Sequence, residues 1–193
     1  MVGVILCGGQ SSRMGTDKGL LVMHSTTWAQ AAFDKMSRLG LPVLLSVNDA
    51  QYKTYGAVFS PEHLVSDNAA IEAKGPLRGI LSIHTSYPSE DLFVLACDMP
   101  LMETTILQRL LDCYNANNAL AYVYTNDGVQ EPLCGIYTAL ALSNVLQLIK
   151  TNQLVKHSMK FLLEHVHTFS IPLAAEQKIY FGNFNTHADL NGM

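Results

Sequence analysis

Charge is scarce in this sequence. Asp, Glu, Lys and Arg make up 15% of its 193 residues, against roughly 25% in an average soluble domain. Apolar residues reach 49%, and the two figures together exclude a disordered chain or a coiled coil. Long apolar runs are also missing: Val43–Leu45 and Leu92–Cys97 are typical, far short of the ~20 residues a membrane helix needs. The opening MVGVILCGG lacks the basic flank of a signal peptide and runs into glycines, so it reads as a buried strand. Cys7, Cys97, Cys113 and Cys134 show no CxxC or CxxH spacing, which argues for reduced thiols. A basic excess is lacking as well: 12 Lys or Arg face 16 Asp or Glu, a net charge of −4. Nucleic-acid binding needs cations that displace phosphate counterions and is not expected here. The expectation is a cytoplasmic protein with neither a nucleic acid nor a membrane as partner.

What is present is unevenly placed. Residues 90–149 hold seven acids against the single base Arg109, whereas Lys150, Lys156, Lys160 and Lys178 gather with three histidines in residues 150–178. Short runs rich in Val, Ile and Leu alternate with helical patterns, the mark of βαβ units in a sheet buried on both faces. Strands are predicted near 3–7, 43–47, 64–66, 92–97, 119–125, 130–137 and 166–171, and helices near 27–38, 50–55, 77–86, 103–115, 139–150 and 157–165. Asn126-Asp127-Gly128 between two strand-like runs predicts a tight turn and a small antiparallel excursion. The fold class is therefore α/β: one three-layer, doubly wound domain over residues 1–193, its sheet mainly parallel. Ligands of such sheets bind beyond the carboxyl ends of the strands.

Residues 8–19 carry the strongest chemical signal. The first strand runs into Gly8 and Gly9, then Ser11, Ser12, Arg13, Gly15, Asp17 and Lys18. Glycines let backbone N–H groups approach a ligand, and hydroxyls with two cations suit a polyphosphate. Neither a Walker A loop nor a GxGxxG fingerprint is present, since Gly15 is followed by Thr16, Asp17 and Lys18. Two further strands end in carboxylates. Asp67 precedes the segment Gly75-Pro76-Leu77-Arg78-Gly79-Ile80, and the run FVLACDMP delivers Asp98, a position suited to Mg²⁺ shared with substrate phosphates.

The order Leu6, Gly8, Gly9, Ser11, Arg13, Met14, Gly15, Asp17, Lys18 resembles the LAGGxSxRMGxDK signature of nucleotidyltransferases with the nucleotide-diphospho-sugar transferase fold, which is Rossmann-like. It looks most like the MobA-type molybdenum cofactor guanylyltransferases, with Cys7 in place of the usual Ala. The GPLxGI segment, the CDxP element at Asp98, QEPLCGIY at 130–137 and YFGNFNTHADL at 180–190 follow in the family's order. The resemblance implies an enzyme that transfers GMP from GTP to the molybdenum–molybdopterin cofactor, forming the molybdopterin guanine dinucleotide cofactor and releasing pyrophosphate.

It also implies roles. Leu6, Cys7, Gly8 and Gly9 would approach the nucleotide, and Gly9, where cytidylyltransferases carry Ala, favours a purine. Ser46, Asp67 and Gly79 would border the base or ribose. Arg13 and Lys18 would hold phosphates, and Asp98 would hold Mg²⁺. Glu131, Lys156, Lys160, Asn183 and Asn185 would border the acceptor. Arg78 falls at a variable position and reads as a solvated charge; His165 and His167 read as alternating residues on an edge strand. Cofactor-synthesis and molybdoenzyme-maturation proteins are the implied protein partners. Two other readings stay open: a cytidylyltransferase or other nucleotidyltransferase, and a nucleotide-binding carrier of the cofactor without turnover.

Overall fold

A computed structural model describes residues 1–8, 17–151, 153 and 158–182. The chain runs β1 (Val2–Leu6), a short hairpin of β2 (Val22–Met23) and β3 (Thr26–Thr27), α1 (Trp28–Ser37), β4 (Val43–Val47), α2 (Asp49–Tyr55), β5 (Leu64–Ser66), α3 (Pro76–Ser86), β6 (Leu92–Ala96), α4 (Thr104–Ala116), β7 (Ala121–Asn126), β8 (Val129–Tyr137), α5 (Ala139–Lys150), α6 (Met159–Glu164) and β9 (Thr168–Pro172). Every residue of β1, β4 and β6 is buried, as expected of strands covered on both faces.

The seven long strands form one sheet in the order β5-β4-β1-β6-β8-β7-β9. β8 runs antiparallel to its neighbours β6 and β7, and the other pairings are parallel. One core fills the face covered by α1, α2 and α4, with Ala32, Met36, Tyr55, Ile106 and Leu110 in it. The other fills the face covered by α3, α5 and α6, with Leu77, Ile80, Leu142, Val145 and Leu162. Each large side chain so buried is worth ~1.5–3 kcal/mol, and the sheet between the two cores is held flat-on by both.

The helices begin where local chemistry allows. Thr27, Asn48, Thr138 and Ser158 cap α1, α2, α5 and α6 by accepting from the third backbone amide of each helix. Asn48 and Gln51 complete a reciprocal capping box. The predicted turn at 126–128 joins β7 to β8, with Asp127 at φ 49° and Gly128 at φ 80°, the left-handed pair that a two-residue hairpin requires.

Two expectations change. The hairpin of β2 and β3 is additional, and it turns through His24 and Ser25 at φ 49° and 70°. β9 starts at Thr168, so His165 and His167 precede the strand: His165 caps α6, its ring stacked on Phe161 with centroids 3.9 Å apart. The four cysteines are free thiols. Among the described residues no helix is long and apolar enough to cross a membrane.

Candidate active site at the carboxyl edge of the sheet

The parallel strands β5, β4, β1 and β6 all end at one edge, and a cleft of about 430 Å³ opens there between the ends of β1, β4 and β5 and the start of α3. Leu6, Gly8, Ser46, Asn48, Asp67, Lys74, Gly75, Pro76, Arg78 and Gly79 line it. Helix α3 reaches the strand ends because Gly79 has no side chain: a Cβ there would lie 2.2 Å from Ser46 Oγ and 3.4 Å from Asp67 Oδ1. Ser46, only 2% exposed, faces Asp67 Oδ1 with its hydroxyl at 3.5 Å and orients that carboxylate. Burial pushes the Asp67 carboxyl above its ordinary range, and the nearby Arg78 guanidinium and the Ser46 hydroxyl pull against that rise. Arg78 is therefore no solvated charge. It is half-buried on the cleft wall, its Nε donating to the Ala73 carbonyl at 2.8 Å.

On the other face of the sheet Lys18–Leu20 forms a short helical turn. Asp17 caps that turn and is gripped from three sides: by the Gly19 amide at 3.0 Å, the Tyr55 hydroxyl at 2.9 Å and Gln51 Nε2 at 2.5 Å. Gln51 Nε2 also donates to the Cys7 carbonyl at 2.9 Å, so α2 ties the loop's exit to the end of β1. Lys18 is thereby placed with its Nζ 3.6 Å from Asp98 Oδ2, each side chain about a quarter exposed (21% and 25%). These contacts of Asp17 with Gly19, Gln51 and Tyr55 form a strap, and Asp98, two residues past β6, is the described carboxylate beside Lys18 that lies outside it. Gln51 and Tyr55 drew no notice in the sequence. Their partners lie 34 and 38 residues away, beyond any local pattern.

Cys7 is buried in the core on the face covered by α1, α2 and α4. Its amide donates to the Ser46 carbonyl at 3.0 Å and its carbonyl takes Gln51, so its backbone is engaged within the sheet. Register sets Leu6 beside Ala96, and Cys7 beside Cys97 in turn. The Cys97 thiol is pushed up by a side-chain hydrogen bond with Cys7 and by burial. Gly8, by contrast, lines the cleft with nothing among the described residues within 4 Å of the place a Cβ would take.

The expected acceptor residues separate. Cross-strand partners share a face: Glu131 pairs with Tyr124, which packs in the α4-side core, whereas Gln130 pairs with Thr125. Thr125 and Gln130 line a second recess, of about 300 Å³, together with Lys160, Leu163 and Ser170 on the α6 side. Glu131 and Lys160 thus stand on opposite faces of the sheet. Burial raises the Glu131 carboxyl, opposed by a hydrogen bond with Asn126. Gly9, Arg13, Lys156, Asn183 and Asn185 lie outside the described residues. Among the described residues no group of three His, Cys, Asp or Glu side chains gathers to hold a metal unaided.

Residues 3–168 match the family described as the MobA-like NTP transferase domain. A molybdenum cofactor biosynthesis bifunctional protein of Synechocystis is 32% identical over 144 residues, 74% of this chain; the chain spans 40% of that longer relative. A molybdenum cofactor guanylyltransferase of Campylobacter jejuni is 29% identical over 150 residues, covering 78% of this chain and 75% of the relative. In fold, the crystal structure of molybdopterin-guanine dinucleotide biosynthesis protein A from Archaeoglobus fulgidus superposes with a TM-score of 0.81 at 21% identity, over 100% of this chain and 96% of that one. With the family matched along most of its length, the chain is a nucleotidyltransferase belonging to the MobA-like NTP transferase domain family.

Proposed function

We propose that this enzyme transfers GMP from GTP to a molybdenum-carrying molybdopterin and releases pyrophosphate. The observation that carries the reading is the meeting of Lys18 and Asp98, 3.6 Å apart, at the strand edge that also bears the cleft of Ser46, Asp67 and Gly79. In this reading the cleft takes the nucleoside, with Asp67 accepting from the base, and the phosphates extend past Gly8 toward Lys18. The relatives' names support the acceptor.

The acceptor is itself a phosphate and needs no protein nucleophile. Its oxygen attacks the α-phosphorus of GTP, a new P–O–P link forms, and the bond from the α-phosphorus to the bridging oxygen breaks with pyrophosphate leaving. Catalysis is then positioning and charge stabilisation. Lys18, fixed through its neighbour Asp17, donates to phosphate oxygens as negative charge shifts toward the leaving group. Arg13 is assigned the same task from its place in the signature. Asp98 fits a hard cation such as Mg²⁺, which takes one or two carboxylates and completes its shell with phosphates and water. Bound there, Mg²⁺ supplies neutralisation of the phosphate charge. Lys160, in the recess with Thr125 and Ser170, is the described cation assigned to the acceptor's phosphate.

Pyrophosphate release tests the reading directly. With Mg²⁺ and the molybdenum-loaded acceptor, release is expected from GTP, with little from CTP and none without acceptor. Preference for CTP, or release with a sugar phosphate instead, overturns it. GTP binding without release under any acceptor indicates a carrier.

A further inference from the structure

Arg78 has no task in the transfer just described, yet it stands inside the cleft. It follows the first residues of α3 and precedes Gly79, whose bare Cα rests on Ser46 and Asp67. The Ala73 carbonyl holds Nε at 2.8 Å, so one of the five N–H donors of the guanidinium is used and the group is anchored at its root. Its charge acts on Asp67, but no ion pair closes between them among the described residues. A cation anchored at its root and a carboxylate held by Ser46 therefore line the same cleft without closing an ion pair among the described residues.

Both groups line one cleft, so a single base seated there meets the pair on two adjacent edges. Guanine presents its N1–H and N2–H₂ donors on one edge and its O6 and N7 acceptors on the next. Arginine takes O6 and N7 bidentately. Adenine puts an amino group where guanine has O6, and would face the guanidinium with a donor. Cytosine has no N7 and one donor group in place of two. Resting on the reading of this cleft as a GTP site, we propose that Arg78 is a specificity-determining residue. Its terminal N–H groups donate to O6 and N7 of the guanine whose N1–H and N2–H₂ are accepted by Asp67.

Nucleotide binding to the full chain separates this from other roles. GTP, 7-deaza-GTP (no N7 acceptor) and ITP (no N2 amine) are titrated against the parent protein, Arg78→Ala and Arg78→Lys. The parent is expected to bind 7-deaza-GTP about 2- to 12-fold more weakly than GTP, roughly half the worth of a good bidentate pair, because the O6 contact stays. Arg78→Ala, which removes both arms, should weaken GTP by about 5- to 160-fold and erase the 7-deaza penalty while keeping the ITP penalty, which reports on Asp67. Arg78→Lys should keep charge and lose most of the 7-deaza penalty, because the fork is gone. A parent protein indifferent to 7-deaza substitution overturns the proposal without any variant. So does an Arg78→Ala protein that weakens GTP and 7-deaza-GTP equally, the mark of a phosphate or ribose contact. A parent that binds CTP as well as GTP overturns the GTP reading itself, and the proposal with it.

Discussion

Replacing Tyr55 by Phe removes one oxygen from the strap that holds Asp17 and little else. Tyr55 is fully buried, and its ring, stacked on Phe59 at a centroid distance of 6.1 Å, stays in place in the variant. What is lost is a 2.9 Å hydrogen bond from its hydroxyl to the Asp17 carboxylate, which keeps the Gly19 amide and Gln51. A hydrogen bond to a charged group contributes about 1.5–3 kcal/mol. For a chain of this size each kcal/mol moves the midpoint by roughly 2–4 °C, so Tm should fall by about 3–12 °C. Guanidinium denaturation should show a lower midpoint with an unchanged m-value. A cycle with Asp17→Asn isolates the pair, with a coupling of about 0.5–3 kcal/mol expected. Lys18 follows Asp17 directly, so kcat should fall more than KM rises. A Tyr55→Phe protein within about 0.5 kcal/mol of the parent, the ordinary spread of a neutral change, would refute the strap, as would a cycle with no coupling.

The remaining predictions concern charge and pH. Lys18→Ala and Asp98→Asn should each cut turnover by about 10²-fold or more, as loss of one transition-state donor does, while Tm stays near the parent value; a near-normal rate in either variant removes that role. Because burial favours the neutral form of Asp67, its carboxylate is lost on acidification at a pH above the ordinary 3.8. GTP affinity should decline through that raised pKa, and Asp67→Asn should bind more weakly but without the acid limb; identical pH profiles for parent and variant would discard Asp67 as the base acceptor. His84 on α3 shares a 3.1 Å hydrogen bond with Ser143 on α5, its Nδ1 is buried without a partner among the described residues, and burial lowers its pKa below 6.5. The unfolded chain therefore takes up this proton first, and unfolding free energy should drop as pH falls below 6.5, by up to ~1.4 kcal/mol per unit. His84→Gln should flatten that slope, and an unaltered slope would assign it to other groups.

How far the sequence led depends on where each signal was stored. The seven long strands and six helices lie within two residues of their expected limits because burial on both faces leaves unbroken apolar runs, as in β1 and β6. The 126–128 turn was legible from its Asp-Gly pair, whereas the β2–β3 hairpin turns through His24 and Ser25, which carry no such mark. Lys18, Asp67 and Asp98 were legible as residues that end strands or follow glycines. Arg78 was not, because a single arginine on a helix looks the same whether it faces water or a cleft. Separating Glu131 from Lys160 required the pairing of β7 with β8 and its irregularity between Val123 and Tyr124, which no composition encodes.

Position 19 has a consequence that reaches beyond this chain. A Cβ there would lie 2.1 Å from the Tyr55 hydroxyl oxygen and 3.3 Å from Cys97 Sγ, so the oxygen occupies the space that any side chain at 19 would claim. The two positions are mutually exclusive in size. Among relatives with this strap, a residue larger than glycine after the signature's lysine should travel with the loss of the tyrosine hydroxyl, and a glycine there should be invariant only where the second helix carries that oxygen.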